Sequence, residues 1–306
     1  MLNGLAGKTA VLTGAGSGFG LECMRIAAKA GMNLVLVDVQ ADALAQSAEQ
    51  ARSLGARQVM ACKVDVGNAE AMDALAQEVK ATFGAPHFVF NNAGVGGSGG
   101  LLWEQSVKDW DLVLNVNLWG VIHGVRVFTP MMLEAAAQDP NWQGHIVNTA
   151  SMAGLLTPPN MGVYNVSKHA VVSLTETLYQ DLRLVTEQLH CSVLCPYFVP
   201  TGIANSERSR PDAVDAAALT TSQKVARAMT QKAVNSGKVS AQDIASKVFA
   251  AMADNQFYIF SHPHALGNVR TRMEDILQLQ NPTDAFADRP EVGEQLRAAL
   301  RGAALA

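Results

Sequence analysis

Two side chains four positions apart, Tyr164 and Lys168 in the stretch YNVSKHA, could together move a proton. On a helix, residues i and i+4 lie on one face, so the phenol and the ammonium would point the same way. A neighbouring positive charge favours the phenolate and lowers the pKa of a tyrosine, which is ordinarily about 10. The same spacing is common on exposed helix faces. The surrounding elements must therefore decide between a proton-transfer pair and a chance arrangement.

The first part of the chain alternates short apolar runs with helical stretches. The runs predict strands at 8–14, 32–39, 56–66 and 87–94. The stretches between them predict helices at 18–31, 41–54 and 68–83, each followed or closed by a glycine. Strands that alternate with helices of this length indicate βαβ units, a parallel sheet and right-handed crossovers.

The pattern continues around the Tyr–Lys pair, which falls in a predicted helix over 162–188. A long helix is predicted over 104–137, interrupted near 103–111 and carrying Pro130. The remaining predicted elements are strands at 144–151, 190–200 and 256–261 and helices at 240–253 and 265–280. Residues 201–237 are polar, Ala-rich and weakly patterned, which predicts a mobile helical insertion over a site. We expect one domain over 1–261, followed by a helical extension and polar tail over 262–306.

A glycine-rich segment, TGAGSGFG at 13–20, joins the first strand to the first helix. Such a turn lets the backbone approach a pyrophosphate, and the helix N-terminus favours the anion. The alternative is a glycine-rich turn without a ligand, but strand, glycines, helix and a following acid occur in the required order. The predicted dinucleotide-binding residues of this segment are Gly14, Ser17, Gly18, Phe19 and Gly20.

Asp38, at the end of the second strand, bears on the choice of dinucleotide. A carboxylate there accepts hydrogen bonds from the adenosine ribose hydroxyls and repels a 2′-phosphate. Val39 follows it, and Ser17 in the glycine turn is not basic, so no cation is placed to receive that phosphate. We therefore expect NAD to be preferred over NADP.

Composition argues against several other classes of protein. The 306 residues carry a net charge of −4 and no basic run, so no nucleic-acid partner is expected. No apolar stretch of roughly 18 residues and no signal peptide is recognised, which predicts a cytoplasmic protein without a membrane partner. Neither the cysteine spacing nor the His262–His264 pair suggests a metal site. We expect a surface turn at those histidines and reduced, buried thiols at Cys23, Cys62, Cys191 and Cys195.

Several further motifs follow the glycine segment in a fixed order: NNAG (91–94), NVNLWG (115–120), NTAS (148–151) and YNVSK (164–168). Together they closely resemble the short-chain dehydrogenase/reductase family in its single-domain form, over roughly residues 5–260. The resemblance implies a Rossmann-type doubly wound sheet of seven parallel strands in the order 3-2-1-4-5-6-7. It also implies a homotetramer or homodimer, with Trp103, Trp110 and Trp119 near a subunit interface.

The resemblance implies roles for individual residues. Tyr164 matches the general acid/base, and Lys168 matches the lysine that lowers the pKa of that tyrosine and binds the nicotinamide ribose. Ser151 matches the serine that holds the substrate oxygen, and Asn117 the asparagine that positions a water in a proton relay. The remaining matches are to the cofactor: Asn92, Ala93 and Gly94 beside the adenine ribose, Asp65 and Val66 at adenine, and Val199 and Thr201 at the nicotinamide carboxamide.

One departure from the family pattern lies in PYFVPT at 196–201, where Tyr197 replaces the usual glycine. We interpret Tyr197 as an aromatic wall of the substrate pocket; the alternative is packing against the mobile segment, from which Arg208 and Arg210 could reach the pocket. His169 is expected to pack away from the catalytic face. The other candidate pocket residues are apolar: Val95, Ala153, Leu155, Leu156, Met161 and Phe198.

These residues predict an NAD-dependent enzyme that interconverts a bulky lipophilic or aryl secondary alcohol and its ketone. The segment after residue 262 loosely resembles a subgroup that acts on bulky aryl alcohols. One alternative is an NADPH-dependent carbonyl reductase with the same catalytic residues, against which Asp38 argues. Another is a non-catalytic dinucleotide sensor, which would need the glycine turn but not Ser151, Tyr164 and Lys168.

Overall fold

The computed structural model describes residues 4–203 and 219–304. Within them, seven parallel strands form one sheet in the order β3-β2-β1-β4-β5-β6-β7, which confirms the predicted doubly wound α/β fold. The strands are β1 (Thr9–Thr13), β2 (Asn33–Asp38), β3 (Gln58–Lys63), β4 (Phe88–Asn91), β5 (Gly144–Thr149), β6 (Leu189–Cys195) and β7 (Tyr258–Phe260).

Helices follow the strands along the chain and cover the sheet. Those in the described residues are α1 (Gly18–Lys29), α2 (Ala41–Ser53), α3 (Ala69–Phe83), α4 (Val107–Leu114), α5 (Gly120–Gln138), α6 (Gly162–Val185), α7 (Thr221–Asn235), α8 (Ala241–Asp254), α9 (Leu266–Leu277) and α10 (Pro290–Ala304). A π-helical turn, Asn115–Trp119, joins α4 to α5.

The two faces of the sheet bury two separate cores because successive strand residues point in opposite directions. In β1, Ala10 and Leu12 join the core under α1, α2 and α8. Val11 between them joins the core under α3, α5 and α6. All five β1 residues are buried, as expected for a central parallel strand covered by helices on both faces. This packing fixes the carboxyl ends of the strands, where the candidate site lies.

Two predicted element boundaries differ from the structure for local chemical reasons. Strand β6 ends at Cys195 instead of 200, since Pro196 cannot donate a ladder hydrogen bond. The long helix begins at Val107, where Ser106 and Asp109 form a capping box. Pro130 lies inside α5 without ending it. The predicted break near 103–111 corresponds to this capped start, preceded by a short 3-10 turn at Leu102–Glu104.

The C-terminal part is more ordered than the polar tail expected from sequence. Helix α10 has Pro290 at its first residue, a position where a missing N–H costs nothing. It buries Leu296 to 9% exposure. Within 201–237, the predicted helical insertion, helix α7 begins with a capping box between Thr220 and Gln223. Arg208 and Arg210 lie outside the described residues.

One helical stretch, Val107–Gln138, is long and apolar enough by composition to cross a membrane, contrary to the expectation from sequence. Its inward residues Val113, Phe128 and Met132 are fully buried within the protein. These contacts are those of a core helix in an α/β fold.

The cysteines are all free thiols, and three of them, Cys23, Cys191 and Cys195, are buried as predicted. Cys62 is only half-buried, which corrects the prediction for that residue. Its strand, β3, is the edge of the sheet and so has a neighbouring strand on one side only. Among the described residues, no cluster of three or more His, Cys, Asp or Glu side chains could hold a metal ion.

Candidate active site

The glycine turn between β1 and α1 is packed too closely for side chains. Gly14 has φ +66°, and a Cβ there would lie 3.0 Å from both Ala93 Cα and Asn92 Nδ2. A Cβ on Gly20 would lie 2.2 Å from the Gly14 carbonyl oxygen, so α1 packs directly on the turn. The backbone at the start of α1 is therefore open to an approaching anion.

Thr13 holds the turn against the loop after β4, a role the sequence analysis did not assign. Its hydroxyl donates to the Phe90 carbonyl at 3.2 Å and accepts from the backbone N–H groups of Asn92 and Ala93 at 2.8 and 3.0 Å. The Asn92 amide also donates to the Thr13 carbonyl at 3.0 Å. Strand pairing between β1 and β4 would have been the signal for this contact.

Asp38 lies at the end of β2 beside the glycine turn. Its two carboxylate oxygens accept backbone N–H groups from Gly16 and Gln40, both at 2.9 Å, which fixes the orientation of the carboxylate. The residues that follow it along the cleft are Gln40, Ala41, Asp42 and Ala43. None of these is a cation, which agrees with the reasoning from Val39.

Asp65 and Val66 follow β3 at the next position along the same edge. The Asp65 carboxylate accepts the Gly67 N–H at 2.9 Å and so forms a tight turn. Gly67 lies against Asn115 of the π turn, where an added Cβ would be 2.0 Å from the amide nitrogen. This close contact brings the start of the long helix to the wall of the cleft.

Tyr164 lies in the first turn of α6 and is half-buried, as is Ser151 just after β5. The Ser151 hydroxyl donates to the Pro196 carbonyl at 3.3 Å. Burial raises the pKa of Tyr164 to about 12, and the neighbouring Ser151 hydroxyl opposes that rise. The phenol is thus protonated near neutral pH and able to act as an acid.

Lys168 is 2% exposed, one helical turn after Tyr164. Its Nζ donates to the Thr149 carbonyl at 2.8 Å and lies 5.6 Å from the centre of the Tyr164 ring. Burial lowers the pKa of Lys168 to about 8. That Lys168 lowers the pKa of Tyr164 stays a prediction; burial is the largest influence on the phenol in the structure and raises its pKa.

Asn117 lies in the π turn with no exposed surface. Its side chain is occupied: Oδ1 accepts the Val95 N–H at 2.8 Å, and Nδ2 donates to the Val95 carbonyl at 2.9 Å and to Ser167 Oγ at 3.2 Å. The side chain therefore holds the loop after β4 against the π turn, and its role at a water stays a prediction. A π turn at this point agrees with their frequent occurrence at functional sites.

These elements enclose a cleft of about 1300 Å³ at the carboxyl ends of the strands. The predicted residues that line it are Gly14, Ser17, Gly18, Phe19, Asp38, Asp65, Val66, Asn92, Ala93, Gly94, Val95, Tyr164, Lys168 and Thr201. The predicted residues that do not line it are Gly20, Asn117, Ser151, Ala153, Leu155, Leu156, Met161, Tyr197, Phe198 and Val199. Of these, Gly20 and Ser151 act through contacts with residues that do, and Val199 is 3% exposed in the core.

Tyr197 lies away from the cleft, contrary to the interpretation as a wall of the substrate pocket. Its ring packs on Phe198 and His262, with centroid distances of 4.6 and 5.9 Å. Its backbone N–H donates to Ser261 Oγ at 2.8 Å. The residue therefore joins the end of β6 to the start of the C-terminal extension. Leu156 belongs to the same core region as Tyr197, and Ala153 is buried; neither residue lines the cleft.

Sequence reasoning also missed part of the cleft wall. The unpredicted residues come from the π turn and α4, from the ends of β5 and β6, and from the segment after β6: Lys108, Asp111, Leu112, Asn115, Trp119, Thr149, Ala150, Pro196, Gly202 and Ile203. The half-exposed Trp119 ring stacks on His123 at 5.6 Å. An interruption of the long helix was the one available signal for this wall.

The cleft fits a dinucleotide cofactor, the group that the fold implies. The glycine turn leaves its backbone open where a Cβ would collide, and a carboxylate stands at the next strand end. Gly94 and Lys168 both line the cleft, and a Cβ on Gly94 would lie 3.7 Å from Lys168 Nζ, so the loop after β4 and the catalytic lysine are neighbours. Ligand crevices at the carboxyl ends of parallel strands are general in such sheets.

Comparison with known proteins gives matches over most of the chain. A family model for short chain dehydrogenases matches residues 8–212. The 1-deoxy-11-beta-hydroxypentalenate dehydrogenase of Streptomyces exfoliatus is 32% identical over 270 residues, 88% of each chain. The cyclohexanol dehydrogenase of Acinetobacter sp. (strain SE19) is 35% identical over 193 residues, 62% of this chain and 74% of that one.

A solved structure shares both fold and sequence with this chain. It is a short chain dehydrogenase/reductase from Burkholderia phymatum in complex with NAD. The TM-score is 0.87 and the identity 52%, covering 92% of this chain and 99% of that one.

Proposed function

Because the chain belongs to the short-chain dehydrogenase/reductase family, we propose that it is an NAD-dependent enzyme that interconverts a secondary alcohol and its ketone. The observation that carries this proposal is the placement of Tyr164 near Ser151, with Lys168 one helical turn away and its Nζ 5.6 Å from the centre of the Tyr164 ring. A sensor of dinucleotides would need only the glycine turn. The three side chains together suit proton transfer to and from a substrate oxygen, which a sensor would not need.

Each of these side chains has a distinct task in the proposed reaction. The bound nicotinamide supplies the hydride acceptor or donor. Ser151 donates a hydrogen bond to the substrate oxygen, which favours the alkoxide-like charge of the transition state. Tyr164 gives its proton to that oxygen during ketone reduction and takes it during alcohol oxidation. Lys168, as its ammonium form, stabilises the phenolate, and its bond to the Thr149 carbonyl holds it in place.

Preference for NAD rests on Asp38. A carboxylate oriented by two backbone N–H groups would accept the ribose hydroxyls, whereas a 2′-phosphate would meet its negative charge without a compensating cation among residues 39–43. The Burkholderia phymatum relative in complex with NAD supports the same choice.

The proposed substrate is a bulky lipophilic or aryl alcohol. Val95 beside the catalytic residues is apolar and packs with Val113 and Val163. The relatives named for cyclohexanol and for hydroxypentalenate support an alcohol of this apolar class. We further propose a cytoplasmic homotetramer or homodimer, supported by the exposed apolar side chains of Trp103, Val107 and Trp119, which are 80%, 74% and 50% exposed.

The test is a spectrophotometric screen of secondary alcohols with NAD at about pH 9, run beside the matching ketones with NADPH at about pH 6.5. NADH formation from cyclohexanol and larger alicyclic or aryl alcohols is the expected result. Turnover with NADPH alone would contradict the proposal that Asp38 selects NAD, and would favour a carbonyl reductase. NAD binding without turnover of any alcohol or ketone would favour the sensor.

A further inference from the structure

A second cavity, of about 320 Å³, lies outside the cleft and is formed largely by the C-terminal extension. Its volume is at the lower end of the range for small-molecule sites. The walls from the first part of the chain are Leu101, Pro159 and Asn160, and those from the extension include Phe286, Leu296 and Leu300. The interior is therefore mainly apolar, and an apolar chain or ring would fill it with a gain of buried surface.

Asn160 is a buried polar group of this cavity without a partner. The residue is 8% exposed and has φ +63°, and its carbonyl accepts the Gly100 N–H at 2.9 Å. Both side-chain atoms, Nδ2 and Oδ1, are buried and make no hydrogen bond to any residue that the structure describes. An unpaired buried amide is costly, so its presence at an apolar cavity points to a ligand group that completes its hydrogen bonds.

Two arginines on α10 give the cavity an excess of positive charge. Arg297 forms an ion pair with Asp284 at 3.1 Å, and both residues line the cavity. Arg301, one turn further along α10, also lines it and has no ion-pair partner within residues 4–203 and 219–304. An arginine and an unpaired amide that line one cavity suit a carboxylate, which guanidinium groups bind through parallel hydrogen bonds.

The cavity is close to the catalytic residues along the chain. Asn160 precedes Tyr164 by four residues, which limits the separation of their Cα atoms to about 14 Å. Leu101 follows Gly100, which pairs with Met161 at the start of α6. One elongated molecule could therefore reach Tyr164 with its carbinol and the cavity with its other end.

We propose that this cavity binds the distal end of the substrate, and that the substrate is an apolar alcohol ending in a carboxylate. The carboxylate is held by Arg301 and by the Asn160 amide, and the apolar body packs against Phe286, Leu296 and Leu300. The inference rests on the proposed function, since it assigns a substrate class to the same enzyme.

The experiment compares secondary alcohols with four, eight and twelve methylene groups between carbinol and carboxylate, each beside its methyl ester. For one chain length, the acid is expected to exceed its ester about tenfold in kcat/KM. Arg301→Gln should raise the KM of that acid about tenfold and leave the ester unchanged. Arg270→Gln, an exposed arginine on α9 away from the cavity, is the matched control.

A binding measurement separates this proposal from the proposed function. Dodecanoate, which has no carbinol, is titrated calorimetrically into wild type, Arg301→Gln and Leu300→Trp, the last of which fills the cavity. Binding lost in both variants supports the cavity even if no alcohol is oxidised. The cavity proposal is overturned if acids and esters of every length have equal kcat/KM and if dodecanoate binding is absent or unaffected by either variant. Alcohol oxidation itself would stand in that case.

Discussion

Two regions of this molecule are built in different ways: the cofactor side, around the glycine turn and Asp38, and the substrate side, where the loop before α4 meets α7. On the cofactor side, Gly14, Gly16 and Gly20 sit at strand and helix ends where a Cβ would lie 3.0 Å or less from its neighbours. On the substrate side, side-chain hydrogen bonds join segments over a hundred residues apart: Ser222 Oγ accepts the Leu101 N–H at 3.0 Å, and Thr220 donates to Glu104 at 2.7 Å.

Because of this difference, substitutions on the two sides should have different effects on stability and on binding. Close backbone packing tolerates no added atom and is part of the fold itself. Single hydrogen bonds made by side chains each contribute little and can be exchanged. Changes on the cofactor side should therefore affect folding and NAD binding, whereas changes on the substrate side should affect the alcohol alone.

Tyr164→Phe should give the largest effect, because it removes the proton donor where the two sides meet. Loss of a general acid/base lowers kcat by about a thousandfold. Tyr179→Phe is the control, since Tyr179 lies on the same helix and packs on Phe257. The assay is NADH formation at saturating alcohol. Undiminished turnover by Tyr164→Phe would break the proposed mechanism.

Lys168→Met should change the pH dependence of stability of the cofactor-free protein. Burial lowers the pKa of Lys168 from 10.5 to about 8. Between these values the unfolded chain binds a proton that the folded chain does not, so stability rises with pH across this window.

The free energy of unfolding of the wild type, measured with urea, should therefore rise by up to about 3 kcal/mol relative to that of Lys168→Met between about pH 8 and 10.5. Lys247→Met, on the exposed face of α8, should follow wild type. Parallel curves for wild type and Lys168→Met would mean that Lys168 is solvated in the folded state.

Gly20→Ala and Gly267→Ala test the contrast in packing directly. A Cβ on Gly20 would lie 2.2 Å from the Gly14 carbonyl, and one on Gly267 in α9 would meet nothing within 4 Å. Gly20→Ala should lose about 1–3 kcal/mol of unfolding free energy by overpacking. Gly267→Ala should gain up to about 1 kcal/mol from helix propensity. Thermal unfolding measures both, and equal melting temperatures would remove the contrast.

Asp38→Ala should act on the cofactor alone. We expect the KM of NAD to rise about tenfold and the preference over NADP to shrink, with the KM of the alcohol unchanged. Asp254→Ala, at the exposed end of α8, serves as the control. Unchanged cofactor preference in Asp38→Ala would rule out its role at the ribose.

Glu104→Ala is the matching change on the substrate side and should have the smallest effect. Its carboxylate accepts from Thr220 and Ser222 and so joins the loop before α4 to α7. The KM of the alcohol should rise about threefold and that of NAD should not change, since these two side-chain hydrogen bonds each contribute little. Glu274→Ala on α9 is the control; a larger change for NAD than for the alcohol would contradict the division into two sides.

Sequence predicted the cofactor side well because its signals are local. The glycine turn, Asp38 and Asp65 each follow a strand directly, and parallel strands bring their ends to one edge. The alternation of apolar runs predicted the sheet, and the family resemblance implied its order. The Tyr–Lys pair could be predicted from its spacing because residues four apart lie on one face of a helix, here α6.

The substrate side could not be predicted in the same way, because it depends on contacts between distant segments. Tyr197 turns toward His262, whose position is set by the C-terminal extension. Helix α10 was expected to be a polar tail because Leu296 and Leu300 become an apolar face only once they pack. The raised pKa of Tyr164 also escaped prediction, since burial is a property of the folded state.

Helix α10 lies beyond residues 8–212, the span that the family model matches, yet it supplies a wall of the second cavity. The catalytic residues and this cavity wall are therefore encoded by separate stretches of the gene. Mutations that remodel Phe286, Leu296 or Leu300 can accumulate without touching Ser151, Tyr164 or Lys168. A lineage can thus diversify the molecules it accepts at little risk to the reaction it performs.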